Sequence, residues 1–284
     1  MIRFAVDELS LFLNSVLDHT GAPYEKCRAV AKVLLEGELL GYRTHGLVRL
    51  SYNYELLKAN AATDQDTPLL LDEGPVFVAD GSSQAGPWVL SNVVRHCADQ
   101  AQTNGVCVGV IRRSGHIACA AAYMIELVER GLVGLILAST PSERVVSSPD
   151  GYKPITSNTP IAFCAPGENS PLLFDFTTAA STIGKITSAS DQGHRLAEAC
   201  LRTPDGELTD DPSAFFADPA ATILPFGGEQ GRHKGFALSL MIEALTFGLM
   251  GCSSAEAAQD GENNSVFLLV VDPEKFAGQA AMMR

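Results

Sequence analysis

Hydrophobic positions at the start of the chain recur with a helical period. Leu9, Leu11, Phe12, Val16 and Leu17 share one face behind Asp7, whose carboxylate suits an N-cap. Gly21-Ala22-Pro23 then breaks the chain. From Tyr24 to Leu40, Ala29, Val30, Val33, Leu34 and Leu40 are apolar, with Lys26, Arg28, Lys32 and Glu36 between them. This is the clearest amphipathic helix. Gly41 ends it, and a further helical pattern runs from Val48 to Leu57 through Leu50 and Tyr54. A polar loop over 61–67 follows.

Beyond that loop the pattern becomes α/β. Val76–Gly81 reads as a short strand and turn, and Gly86-Pro87 opens a helix to Thr103. Val106–Ile111 is a buried strand, Ala118–Arg130 a helix, and Val133–Ala138 a second buried strand. Polar residues stand just past both strand ends: Ser114-Gly115-His116 after the first, Ser139-Thr140 after the second. In α/β sheets ligands bind at such ends. Leu172–Phe176 is strand-like but encloses Asp175, and a carboxylate in an apolar run needs a partner. Ser181–Lys185 falls on a following helix, 203–207 and 209–212 on turns, and Pro225–Gly228 on a glycine-bearing loop. Residues 229–232 read as solvated loop, Phe236–Leu249 as an apolar helix, and Val266–Val271 as a last strand. No internal repeat is visible.

Composition narrows the class. The 284 residues are 46% hydrophobic and 19% charged, as in a globular protein with a substantial core. The formal charge of −13 disfavours nucleic acid and anionic membranes as partners. No apolar run is long enough to span a bilayer, and residues 1–7 lack a signal-peptide pattern. The seven cysteines form no Cys-x-x-Cys pair, which fits reduced, buried thiols. The expected setting is cytoplasmic.

The chemistry centres on Arg43-Thr44-His45-Gly46-Leu47-Val48-Arg49. An imidazole exchanges protons near neutral pH. An arginine four residues on faces the same side of a helix and presents a fork suited to a carboxylate. Such a pair can hold an organic acid and move a proton at the adjacent carbon. The same residues also suit a solvated helix end. No Gly-x-Gly-x-x-Gly follows any predicted strand, so the Rossmann fingerprint is absent and the pattern alone argues against a dinucleotide.

Three further stretches shift the balance: Arg113-Ser114-Gly115-His116, Asn158–Phe163 with Phe174–Thr178, and Leu224–Gly228 with Gly231-Arg232-His233-Lys234-Gly235. With Thr44-His45-Gly46-x-x-Arg49, their order resembles the malate/L-lactate dehydrogenase family of NAD(P)-dependent oxidoreductases, over nearly the whole chain. Its members include ureidoglycolate and sulfolactate dehydrogenases, diketogulonate reductase and cyclic-imino-acid reductases. The resemblance implies a mixed-sheet, non-Rossmann α/β fold of the sulfolactate-dehydrogenase-like type. A helical lobe over residues 1–67 would carry the substrate-side motif, and a lobe over 68–284 would bind NAD or NADP. It also implies a homodimer with the site between lobes.

Within that resemblance His45, His116 and Asp175 are the expected catalytic residues. Thr44 and Arg49 are expected to bind substrate, and Ser139, Asp175, Phe176, Thr177 and Lys234 to bind cofactor. No resident metal is expected. His45 and His116 compete as proton carrier, and the spacing to Arg49 favours His45. The expected reaction is hydride transfer between NAD(P)H and C2 of a small 2-oxo or 2-hydroxy acid or a cyclic 2-imino acid. Asp175 would orient a histidine or serve as a structural acceptor. His194 and His233 read as structural or exposed, His19 and His96 as surface residues, Trp88 as packing. Family members usually continue for several elements beyond the point matching Arg284. An inactive, shortened cofactor-binding homologue is therefore one alternative. A hydrolase with metal on His45, His116 and Asp175 is another.

Overall fold

The computed structural model describes residues 3–62, 69–260 and 263–282. Most of the loop expected over 61–67 lies outside them. The Cα packing divides the chain into two compact units. The first comprises Met1–Ile136, Ala162–Asp175 and Asn263–Arg284; the second comprises Leu137–Ile161 and Phe176–Glu262. The helices expected as a lobe of their own over 1–67 fall within the first unit.

Three helices open the chain: α1 (Val6–Asp18), α2 (Tyr24–Leu39) and α3 (Leu50–Ala59). Asp7 is not the cap. Helix α1 begins one residue earlier, after Ala5, and Asp7 contributes its charge in the first turn. Helix α2 buries Val30, Val33 and Leu34, and Gly41 turns the chain away from its end with φ of +87°. Strands β1 (Leu69–Glu73) and β2 (Val76–Asp80) lead to α4 (Gly86–Asn104). Pro87 sits in the first turn of α4, where no N–H partner is needed. Strand β3 (Val106–Ser114), helix α5 (Ala120–Glu129) and strand β4 (Val133–Ser139) follow, close to the predicted spans.

After β5 (Val146–Ser147) and β6 (Pro154–Thr156) come β7 (Pro160–Ala165) and β8 (Leu172–Thr177). Helix α6 (Ile183–Asp191) is capped by the Thr182 hydroxyl, which accepts the Lys185 N–H. Strands β9 (Leu201–Arg202), β10 (Leu208–Thr209) and β11 (Thr222–Ile223) precede α7 (Gly228–Leu245), and β12 (Asn264–Val271) is the last strand.

The larger sheet runs β1-β2-β3-β12-β4-β7-β8. Strands β2 and β3 are parallel, whereas β12 is antiparallel to β3 and β1 to β2. It is the expected mixed sheet, not a parallel Rossmann sheet. In the second unit a five-stranded sheet runs β10-β9-β11-β5-β6. Val146, Ile186, Leu201 and Ile223 form its core.

Two readings of the sequence change. Residues 229–234 are helical, because Gly227 turns the chain (φ +116°) and Gly235 packs its bare face on the backbone of Phe226. Arg232 is thereby buried and donates to the carbonyl of Pro149 at 3.4 Å. A polar run hides this turn from periodicity. His96, read as a surface residue, is half-buried. Its ring meets Phe77 edge-on at 5.1 Å.

Phe77 itself is fully buried and registers opposite Gly109 across the β2–β3 pair. A methyl group at position 109 would lie 2.0 Å from Cζ of Phe77. Gly109→Val should therefore destabilise the protein by about 1–3 kcal/mol through overpacking. Phe77→Leu in the same chain should recover part of that loss. Denaturant midpoints of the two single variants and the double variant check this, and purely additive losses would refute the contact.

Candidate functional site

The segment carrying His45 is not one helical turn. It forms two short 3-10 turns, Arg43–His45 and Leu47–Arg49, hinged at Gly46. Gly46 lies directly on α2. A side chain there would begin 2.8 Å from Glu38 Oε2 and 2.9 Å from Glu38 N. The Glu38 carboxylate accepts the N–H of Leu47 at 3.4 Å and so fastens the hinge.

The hinge still brings His45 and Arg49 together. Arg49 Nε donates to the carbonyl of Thr44 at 3.2 Å, and the Thr44 hydroxyl lies 2.8 Å from His45 Nδ1. With Nε engaged, the terminal nitrogens of Arg49 have no partner among the described residues. Asn53, fully buried on α3, donates to the carbonyl of Arg49 at 2.9 Å and fixes the turn from below.

His116 reaches the same place from β3. The chain leaves this strand through Arg113 (φ +52°) and turns again at Ala118 (φ +60°), both left-handed. Asp80, at the end of β2 and almost fully buried, holds the first bend. Its carboxylate accepts from Arg112 Nε at 2.9 Å and from Arg113 Nη2 at 2.7 Å. Gly86, opening α4, packs on the carbonyls of Gly115 and His116; a Cβ there would meet them at 2.3 and 2.5 Å.

The His45 and His116 rings stack with centroids 5.6 Å apart. The Tyr52 hydroxyl accepts the backbone N–H of His116 at 3.3 Å, and the Tyr52 ring stands edge-on to the imidazole. The N–H of Ala118 donates to His116 Nδ1 at 3.0 Å. An accepting Nδ1 places the proton of a neutral ring on Nε2.

Both rings are held neutral. Burial, then the Arg49 charge, lowers the His45 pKa to about 4. Burial, then Arg49 and His45, pushes His116 well below the ordinary histidine value. A positive field thus persists at this site in an acidic protein, and it favours an anion.

Asp175 is placed differently from a triad carboxylate. It projects from β8 to the N-terminus of α5, where Oδ2 accepts the Ala121 N–H at 3.0 Å and the Cys119 thiol at 3.9 Å. Among the described residues its carboxylate has no histidine partner. Burial raises its pKa to about 6 against the opposing pull of these hydrogen bonds. The Tyr42 hydroxyl donates to its main-chain carbonyl at 3.2 Å. No group of three His, Cys, Asp or Glu among the described residues could hold a metal ion. The two-histidine, one-carboxylate ligand set is therefore not assembled.

The remaining expected cofactor residues lie in the second unit. Ser139 is buried, with its hydroxyl 2.8 Å from that of Thr246. The Thr177 hydroxyl donates to Asn158 Oδ1, and the half-exposed Phe176 ring is 6.1 Å from Phe226. Lys234 is exposed on the second turn of α7. The first turn of that helix has no side-chain cap, and the Cβ positions of Gly228 and Gly231 face open space. A helix start without a side-chain cap has the chemistry to hold a phosphate.

Sequence reasoning passed over Tyr42, Tyr52 and Asn53. Tyr52 and Asn53 follow Arg49 by three and four residues, a helical spacing that carried the signal.

The sequence profile described as Malate/L-lactate dehydrogenase matches residues 4–284. A Delta(1)-pyrroline-2-carboxylate/Delta(1)-piperideine-2-carboxylate reductase of Pseudomonas aeruginosa is 31% identical over 290 residues, covering 99% of this chain and 84% of its own. A malate dehydrogenase of Pyrococcus abyssi is 29% identical over 283 residues, covering 97% and 77%. The crystal structure of malate dehydrogenase from Entamoeba histolytica superposes with a TM-score of 0.89 at 22% identity, over 100% of this chain and 82% of that one, and so shares the fold. The chain belongs to the malate/L-lactate dehydrogenase family, an enzymatic family of dehydrogenases and reductases.

Proposed function

We propose that the protein catalyses reversible hydride transfer between NAD(P)H and C2 of a small 2-oxo acid or cyclic 2-imino acid. The observation that carries this reading is the His45–Thr44–Arg49 cluster, where a titratable ring and a guanidinium whose terminal nitrogens have no partner among the described residues meet across the Gly46 hinge. The terminal nitrogens of Arg49 take the substrate carboxylate, and the Thr44 hydroxyl supports His45. His45 then moves the proton at the oxygen or nitrogen on C2, the carbon bonded to that carboxylate. His116 is less suited to carry it. A second proton on its Nδ1 would face the Ala118 N–H.

A bound nicotinamide supplies or accepts the hydride. Lys234 and the open first turn of α7 would hold its phosphates, with Asp175, Phe176, Thr177 and Ser139 as the other contacts. Residues 1–67 supply the substrate side, 68–284 the cofactor side, and the working form is a homodimer.

Pyruvate, oxaloacetate, glyoxylate derivatives and cyclic imines, each with NADH and NADPH, form the test panel. Turnover is expected with one class of acid. No turnover with any would overturn the reading in favour of an inactive cofactor-binding homologue. His45→Ala should lower kcat by about 10²–10⁴-fold while NAD(P)H fluorescence still reports binding. Arg49→Ala should chiefly raise KM, since the carboxylate contact precedes the reaction. Near-normal turnover in His45→Ala with loss in His116→Ala would reverse the proton assignment.

The neutral state of His45 also makes stability depend on pH. Between pH 6.5 and about 4 the unfolded chain binds a proton at residue 45 and the native protein does not. Native stability at this residue therefore falls as pH drops through that window, by at most about 3 kcal/mol. Asp175 acts with the opposite sign, because its raised pKa of about 6 costs stability as pH rises from its ordinary value to 6. The difference between wild type and His45→Gln isolates the histidine. The advantage of wild type over the variant should shrink from pH 6.5 to 4, as read from urea unfolding. A difference independent of pH would refute a His45 held neutral in the fold.

A further inference from the structure

His116 is held by hydrogen bonds that lead away from the ring to two residues, Asn264 and Tyr123, outside the sequence motifs. The donor to its Nδ1 is the main-chain N–H of Ala118, a residue in the left-handed region. A non-glycine residue keeps that conformation only where its surroundings enforce it. Here the enforcement acts on Ile117, between the two. The Ile117 N–H donates to Asn264 Oδ1 at 2.9 Å, and the Ile117 carbonyl accepts from the Tyr123 hydroxyl. Asn264 opens β12 opposite Ser114 of β3 and is 5% exposed, and Tyr123 on α5 is 3% exposed. Both polar groups of the Ile117 residue are thus gripped by buried side chains of two separate elements. Little rotation remains for the peptide that carries the Ala118 N–H.

We infer that Asn264 and Tyr123 are positioning residues that lock His116 as the neutral Nε2–H tautomer. The inference rests on the hydride-transfer reading for its catalytic meaning but not for its structural content. A ring so locked cannot pick up a proton at Nδ1 without setting N–H against N–H. It offers Nε2–H as a fixed donor. In hydride transfer to a 2-oxo acid, negative charge develops on the C2 oxygen. A neutral imidazole N–H is a competent partner for such an oxygen. The two histidines then divide the work. His45, whose Nδ1 meets a hydroxyl that can donate or accept, exchanges the proton. His116 donates a hydrogen bond and stays neutral. The alternative is that Asn264 and Tyr123 only stabilise the loop, with the ring free to choose its tautomer.

The ring nitrogens distinguish these cases. In protein labelled with ¹⁵N-histidine, the His116 resonances are assigned by their loss in His116→Gln. At neutral pH the wild-type spectrum should show a pyridine-like Nδ1 and a pyrrole-like Nε2. Tyr123→Phe removes only the hydroxyl, and Asn264→Leu removes the acceptor. Each should give mixed tautomers at His116, leave His45 unchanged, and lower kcat about 10- to 100-fold with little change in KM. Asn264→Asp, which retains the acceptor oxygen, should restore the wild-type tautomer. A wild-type His116 protonated on Nδ1 would overturn the inference. So would a wild-type tautomer retained in both Tyr123→Phe and Asn264→Leu. If the wild-type protein shows the locked tautomer but turns over no acid in the panel, the hydride-transfer reading fails and the positioning inference stands.

Discussion

Main chain pressed against main chain is the constraint on which this site depends. Gly86 brings the first turn of α4 onto the carbonyls of Gly115 and His116, and Gly46 brings the His45 hinge onto the backbone of Glu38. Contacts of this kind leave no rotamer to adjust, so the segments they join move together or not at all. The two histidines hang from these segments, which explains how rings from distant parts of the chain stack at 5.6 Å. Side-chain packing alone leaves more freedom, and catalytic geometry tolerates little of it.

Electrostatics follow from that placement. Arg49 is tied by Nε to the carbonyl beside His45, and its charge helps keep both rings neutral. The same charge makes the spot attractive to an anion although the chain carries −13 overall. An anion on Arg49 offsets part of the field that depresses His45. Anion binding and the basicity of His45 are therefore coupled through one guanidinium. Asp175 is the counterpoint. It meets the N-terminus of α5, where main-chain N–H groups satisfy it without a cation, and burial outweighs them. Of the two roles the sequence leaves open for this carboxylate, a partner for histidine or a structural acceptor, the described contacts are those of an acceptor of helix N–H groups.

Much of the fold is legible along the chain, because periodicity records which face of each segment is buried. The amphipathic run ending at Gly41, the Pro87 helix and the apolar strands before His116 and Ser139 all appear where their patterns place them. The start of α7 is not legible, because its first turns are polar and glycine-bearing and present no apolar stripe. The hinge at Gly46 is hidden for a related reason: a spacing of four suggests a helical turn equally well whether or not a helix forms.

By itself, the pattern along the sequence determined the order of the main elements, the α/β class and the residue types around residue 45, while the mixed sheet was implied only by the family resemblance. The pattern did so because burial and local propensity are written in short windows of residues. Tertiary structure alone decided which atoms meet. The N–H of Ile117 finds Asn264 across 147 residues, that of His116 finds Tyr52 across 64, and Asp175 finds α5 across 54. Each of these bonds fixes main chain or side chain at His116 or Asp175. Hydrogen bonding is directional and short-ranged, so the partner is selected by the meeting of distant segments, and no window of the sequence contains both halves of the pair.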